Sequence, residues 1–530
     1  MREGTMTNPG PDTVQLLADA GAVLQPGFSG LTAPEWVRRH LDSGELGGVA
    51  LFGRNIADPA QVAALTSSLY ALNPDVLIAT DEEGGDVTRL EAVTGSSYPG
   101  NLALGAVDDV TLTEEVARSI GFDLAAAGIN LNYAPDADVN TNPDNPVIGV
   151  RSFGGDGELA ARHTAAYVRG VQSAGVAACA KHFPGHGDTA ADSHLGLPRI
   201  DLTADGFDEH LVPFKAAVAA GVKGIMTAHI LFPAYDPDLP ATMSRAILHD
   251  LLRDELGYQG LIVTDGIEMG AISGTHGIAE GTVKAIAVGA DTICVGGGLE
   301  DEATFLYLRD ALLWAVREGR LPEERLHQAA ERNRAVARWS ARLRSETKEA
   351  AVPGIGLTAA RRALRVHGAL TPLHGVPHVV EFSPAANFAV GSETPWGLAG
   401  PLGEFLPGTT TARVGAPAAR LETAGLIRTA VDAAEGRVDT DPLLGAAVGR
   451  PLVIVVRDLH RHPWMQRATL ELTAARPDAV VVEIGTAYGV DSVLADRGVT
   501  TLTTFGGARV CGVAAAEALA GPGAQVARIA

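Results

Sequence analysis

Cysteine is scarce in this chain: three residues in 530, Cys179, Cys294 and Cys511, far apart and each set in an apolar run. Their odd number and wide spacing exclude a disulfide-stapled scaffold, and reduced, buried thiols of a cytosolic protein are expected. None has the electropositive setting that activates a thiol for catalysis. Apolar runs of roughly 18 residues are also missing, so no spanning helix and no membrane partner are expected. The start, MREGTMTNPGPDTVQ, has no apolar stretch behind a basic region, which leads us to expect a cytoplasmic rather than exported protein. Positive charge is short too. Lys and Arg number 41 against 63 Asp and Glu, a formal charge of -22. A nucleic-acid partner is not expected, because neutralising phosphates needs clustered Lys and Arg.

What is present is a large globular composition, 46% hydrophobic and 20% charged. The length exceeds one ordinary core and points to two domains. From about residue 20 to 300, short apolar runs alternate with Ala- and Leu-rich helical stretches such as 113–127. The runs are 22–24, 48–52, 76–79, 129–133, 176–180, 224–226, 261–263 and 292–295. This alternation predicts an α/β protein with an N-terminal (β/α)8, TIM-like barrel over residues 1–345. A helix is expected over 322–343, then a linker at 346–372. A smaller α/β domain at 373–530 has strands at 378–382, 451–456, 479–484 and 500–504, with a helix at 466–475. It lacks G-x-G-x-x-G after a first strand, so nucleotide binding is not supported.

Arg54, Asp81, Asp136, Lys181, His182, His229 and Asp265 fall at or just after the C-terminal ends of the barrel runs. Those ends converge on the rim where barrel active sites are built. Strand-end aspartates also cap helices, and a lysine there can serve an interior ion pair, so position alone does not assign a role. The segment 181–194, KHFPGHGDTAADSH, packs a lysine, three histidines and two aspartates around Pro184, Gly185 and Gly187. It reads as a long loop leaving a strand. One use is metal-assisted hydrolysis, with His182, His186, Asp188, Asp192 and His194 as ligands, although the spacing matches no standard zinc pattern. The other is proton transfer by one imidazole paired with one carboxylate, as Asp192-Ser193-His194 allows.

KHFPGHGDT followed by DSH resembles the signature of family 3 glycoside hydrolases of the β-N-acetylglucosaminidase (β-N-acetylhexosaminidase) type. Three further blocks of that family follow its order: DEEGGDVTR at 81–89, NPVIGVRSF at 145–153 and TDGIEM at 264–269. The resemblance implies Asp265 as nucleophile, His194 as general acid and base, and Asp192 as its dyad partner. It implies that Asp81, Arg89, Arg151, Lys181 and His182 hold the sugar, with no cofactor and no metal. Glu268 is a rival carboxylate ranked below Asp265, since the motif leaves its position unspecified. His276, in a glycine-bordered loop, is a candidate pocket residue.

Physical chemistry is consistent with these roles. Retaining hydrolysis usually pairs two carboxyl groups about 5–5.5 Å apart, and a histidine, with a reference pKa of about 6.5, suits proton donation near neutrality. The implied activity is a retaining exo-β-N-acetylglucosaminidase acting on chitobiose, short chitooligosaccharides or muropeptide fragments. A phosphorylase sharing the same intermediate, a metal-dependent hydrolase and a non-catalytic sugar-binding module are the alternatives. The expected partner is a small carbohydrate, and the chain is expected as a monomer or homodimer.

Overall fold

The computed structural model describes residues 11–190, 196–346, 350–384, 389–390, 397–415, 427–430 and 436–521, with only the backbone for 11–13 and 427–430. The chain forms two compact units. One comprises 1–82, 117–139 and 164–351; the other comprises 83–116, 140–163 and 352–530.

The first unit carries β1 (Leu24–Pro26), β2 (Gly48–Leu51), β3 (Leu77–Thr80), β4 (Leu131–Asn132), β5 (Ala177–Phe183), β6 (Gly224–Thr227), β7 (Leu261–Thr264) and β8 (Ile293–Val295). Strands β2 to β7 pair in parallel in chain order, and β1 pairs with β8 in parallel. The Thr264 amide donates to the Thr292 carbonyl at 2.9 Å, joining β7 to the segment entering β8. All eight strands are buried, which is why strands such as β2, β3 and β7 read as apolar runs rather than alternating ones. Three of the unit's helices start on polar caps. Asp58 accepts from Gln61 N, Thr203 from Gly206 N and Asp301 from Thr304 N, each worth about 1 kcal/mol.

Two boundaries depart from expectation for backbone reasons. Strand β4 stops after two residues, just before Ala134–Pro135, where proline has no N–H to continue a ladder. Strand β5 runs to Phe183, so Lys181 and His182 lie on the strand and the loop starts only at Pro184. Pairing is kept by the Asp136–Lys181 bridge and by Ala137 N donating to the Lys181 carbonyl at 2.7 Å. The helix expected at 113–127 spans Val110–Ala126, and the one expected at 322–343 spans Glu323–Glu346. No helix among the described residues is long and apolar enough to cross a membrane.

The second unit contains β9 (Arg365–His367), β10 (His378–Ser383), β11 (Thr410–Gly415), β12 (Ile427–Ala430), β13 (Leu452–Val456), β14 (Val480–Glu483) and β15 (Thr500–Thr503). They form one sheet in the order β12-β11-β10-β13-β14-β15-β9, parallel except for β9. Successive side chains bury opposite faces. Val380, Ile454 and Val481 pack in one core, and Val379, Val453, Val455, Val480 and Val482 in the other. Strands β9, β11 and β12 escape a reading for apolar runs. Strand β9 is a short, charged edge, and β11 carries Arg413 paired with Glu381 at 2.9 Å. All three cysteines are free and buried, and burial raises each thiol's pKa.

In doubly wound sheets, ligands bind outside the carboxyl ends of the strands. Here part of that crest is taken by the chain's own segment 83–89. Arg457, directly after β13, pairs with Asp86, whose Oδ1 accepts from Gly507 N at 2.7 Å. Beside it Glu483 accepts from the amides of Asp458, Leu459 and Gly485. Burial, then the neighbouring Asp458 carboxylate, push Glu483 up to about 8 from 4.5. Between those values the folded state holds a proton that the unfolded state has released. The stabilisation is therefore complete below about pH 4.5 and lost as pH rises through about 8. We expect the urea midpoint of Glu483→Gln to fall less over this window than that of the parent. Parallel curves would contradict the assignment.

Candidate active site

At the barrel rim of the first unit, Asp81 directly follows β3 and Lys181 sits on β5. Lys181 Nζ donates to Asp81 Oδ1 at 2.6 Å, and the lysine side chain is only 2% exposed. An ammonium so deeply buried is tolerable only when paired. Asp81, Lys181 and Asp265 all act electrostatically on the one buried thiol of Cys179, which gathers the three charges around the same part of the barrel.

Asp265 directly follows β7 and is half-buried. Its Oδ1 accepts from Gly266 N at 2.8 Å, and its own amide donates to the Thr227 carbonyl at 3.3 Å. His229 holds the next peptide, with Nε2 2.9 Å from the Gly266 carbonyl and Nδ1 2.7 Å from the Thr242 hydroxyl. A carbonyl only accepts, so Nε2 carries a proton and donates it to Gly266. Glu268, the rival carboxylate, is committed elsewhere. Its Oε1 accepts from Gly296 N at 3.0 Å and from Gly297 N, tying the loop after β7 to the loop after β8, and burial raises its pKa. Arg54 pairs with Glu300 at 2.8 Å and donates to the Gly296 carbonyl at 2.7 Å. His276 Nδ1 lies 2.8 Å from the Thr275 hydroxyl.

The histidine-rich segment separates by burial. His182 Nδ1 lies 2.7 Å from Asp138 Oδ2, and Asp138 Oδ1 accepts from the amides of His182 and His186. Asp138 was not anticipated; its signal was an aspartate two residues beyond a strand-end aspartate. Asp136, Asp138 and His182 each present a ligand atom within 4.8 Å of the others. The donors converging on Asp138 also suit it to orient the His182 ring. Burial, then His182, push His186 down to about 4, so it is neutral near pH 7 and a poor proton donor. Asp192 and His194 lie outside the described residues.

Two family-like blocks fold within the second unit. In 81–89 the two glycines take positive φ, +76° at Gly84 and +67° at Gly85. A Cβ on Gly85 would lie 2.5 Å from Gly100 Cα, so only glycine fits. The turn is closed by Glu83 N donating to the Val87 carbonyl at 3.0 Å. It aims Glu83 at Arg151, whose guanidinium donates to both carboxylate oxygens at 3.0 and 2.8 Å. In 145–153 the Asn145 side chain accepts from Val147 N and Ile148 N, shaping the tight turn that ends on Arg151. Asn101 donates to the Arg151 carbonyl at 2.7 Å. Arg89 is half-buried and donates to the Ala389 carbonyl at 2.8 Å. Glu83 was missed as a partner although it lies inside a recognised block.

The comparisons agree with these blocks. Residues 21–336 match the model of the glycosyl hydrolase family 3 N-terminal domain. A beta-hexosaminidase A of Pseudoalteromonas piscicida is 40% identical over 283 residues, 49% of this chain and 47% of that protein. The chain thus matches about half the length of that relative. A beta-hexosaminidase of Pseudomonas aeruginosa is 38% identical over 277 residues, 51% of this chain and 80% of that one. A family 3 β-N-acetylglucosaminidase structure from Paenibacillus sp. str. FPU-7 is 34% identical with a TM-score of 0.81, covering 95% of this chain and 96% of that chain. The barrel, its rim and the four motif blocks lead to one conclusion: the chain belongs to glycosyl hydrolase family 3.

Proposed function

We propose that the chain is a retaining exo-β-N-acetylglucosaminidase that releases terminal N-acetylglucosamine from chitobiose, short chitooligosaccharides or muropeptide fragments in the cytoplasm. The observation that carries the reading is Asp265, a half-buried carboxylate at the end of β7 whose Oδ1 accepts from Gly266 N, whose amide donates to the Thr227 carbonyl and whose neighbouring Gly266 carbonyl is held by His229. Fixing a nucleophile this way holds it in attack geometry before substrate arrives. Likeness along nearly the whole chain to the Paenibacillus β-N-acetylglucosaminidase supports the choice of sugar.

In this reading Asp265 attacks the anomeric carbon while His194 protonates the departing glycosidic oxygen. A covalent glycosyl-enzyme forms and the aglycone leaves as an alcohol. His194 then takes a proton from water, which attacks the same carbon and frees Asp265, giving net retention. Asp192 orients His194 and raises its basicity. Asp81, Lys181, His182, Arg89 and Arg151 bind the ring hydroxyls. Residues 1–345 supply the catalytic barrel in sequence, 346–372 link it to the α/β domain at 373–530, and the acting species is a monomer or homodimer.

Proton donation matters most when the leaving group is a poor one. His194→Ala should cut kcat/KM on chitobiose by about 10²–10⁴-fold, the range of general acid catalysis, and far less on an activated aryl N-acetylglucosaminide. Equal losses on both substrates would remove His194 from the role.

A further inference from the structure

The second unit holds a cavity of about 200 Å³ outside the carboxyl ends of β14 and β15, lined by Asn140, Gly149, Thr486, Tyr488, Asp491 and Phe505 among others. Three features set it apart from an ordinary surface dip. Phe505 is held at φ +56°, a left-handed backbone that costs a non-glycine residue about 1–3 kcal/mol and concentrates at binding sites. Tyr488 is 47% exposed, its ring 6.0 Å from His460. Asp491 follows by three residues on the short helix Tyr488–Val493, so the ring and the carboxylate share one face. Among the described residues neither the Tyr488 hydroxyl nor the Asp491 carboxylate has a hydrogen-bond partner.

Chemistry narrows the occupant. A cavity below roughly 300 Å³ is too small for a drug-sized ligand but admits one ring. The lone carboxylate and the -22 net charge disfavour phosphates and other anions. An open phenol ring offers a flat apolar face with a polar tip, and a carboxylate accepts strongly from hydroxyls. A neutral pyranose, with C–H faces and hydroxyl edges, matches both. Gly149, on the cavity wall, opens the short turn that ends on Arg151.

We propose that this cavity is an accessory subsite for a further sugar ring of an oligosaccharide, with Tyr488 as stacking platform and Asp491 as hydroxyl acceptor. This rests on the N-acetylglucosaminidase reading and on Arg151 as a ligand of the terminal sugar. The test compares kcat/KM on N-acetylchitotriose with that on an aryl N-acetylglucosaminide for the full chain and three variants. Tyr488→Ala should lower the trisaccharide-to-aryl ratio by about 10-fold, the upper range for an aromatic contact. Tyr488→Phe, which keeps the ring, should retain most of the ratio, and Asp491→Asn should fall between. Ratios within about 2-fold of the parent for both Tyr488→Ala and Asp491→Asn would overturn the subsite. If the parent turns over neither substrate, the activity reading fails. Ligand-observed NMR with N-acetylchitotriose then decides the site: weaker binding to Tyr488→Ala supports it, and binding equal to the parent's overturns it.

Discussion

Asp265→Asn should lower kcat on an aryl N-acetylglucosaminide by at least about 10³-fold while leaving the fold intact. An amide does not form the glycosyl ester, so the covalent route closes, and three decades correspond to about 4 kcal/mol of barrier. The substitution is nearly isosteric, and asparagine's carbonyl oxygen can still accept from Gly266 N, the contact Asp265 makes at 2.8 Å. Thermal stability should therefore stay close to that of the parent. Glu268→Gln separates chemistry from structure. Its oxygen accepts from Gly296 N and Gly297 N, so the change should act on stability and on the loop after β8 with a much smaller loss of kcat. Steady-state kinetics beside thermal melts read both. Loss of kcat in Glu268→Gln comparable to that in Asp265→Asn would reverse the assignment.

Arg457→Met should destabilise the second unit by about 3–5 kcal/mol, the usual consequence of leaving one partner of a buried ion pair unpaired. Asp86 is 3% exposed and Arg457 7%, so water cannot take over from the guanidinium. Asp86 also lies in the Gly84–Gly85 turn that aims Glu83 at Arg151. Loosening that turn should raise KM more than it lowers kcat, because Arg151, the proposed sugar ligand, is displaced while Asp265, the proposed nucleophile, is not. Pairing Arg457→Met with Asp86→Asn removes the stranded charge, and part of the stability should return. Urea unfolding of both singles and the double gives the coupling. Additive losses would show that Asp86 and Arg457 do not act as a pair.

Much of this architecture is written in local sequence. Each barrel strand is buried on every side, so the segments 48–51 and 261–264 stand out as apolar runs without help from partners. Glycines at 84 and 85 mark a turn because side chains are excluded there. Long-range pairing leaves no such local trace. That Glu83 meets Arg151, that Asp138 meets His182, or that Arg457 meets Asp86 from 371 positions away depends on how distant segments pack. Polar strands such as the edge strand β9 and the inner strand β11 are hidden because charge masks their alternation. The strand ending at Phe183 was cut short by reading KHFPG as loop, since backbone pairing at Asp136–Lys181 sustains a ladder that composition argues against.

A covalent sugar intermediate on Asp265 distinguishes the proposed mechanism from every alternative nucleophile, and it can be trapped. The full chain is incubated with a fluorinated N-acetylglucosaminide that forms the glycosyl-enzyme faster than it releases it, then digested and mapped by mass spectrometry. One added sugar is expected, on the peptide containing Asp265 and at that carboxylate. A label on Glu268 or any other carboxylate would contradict it.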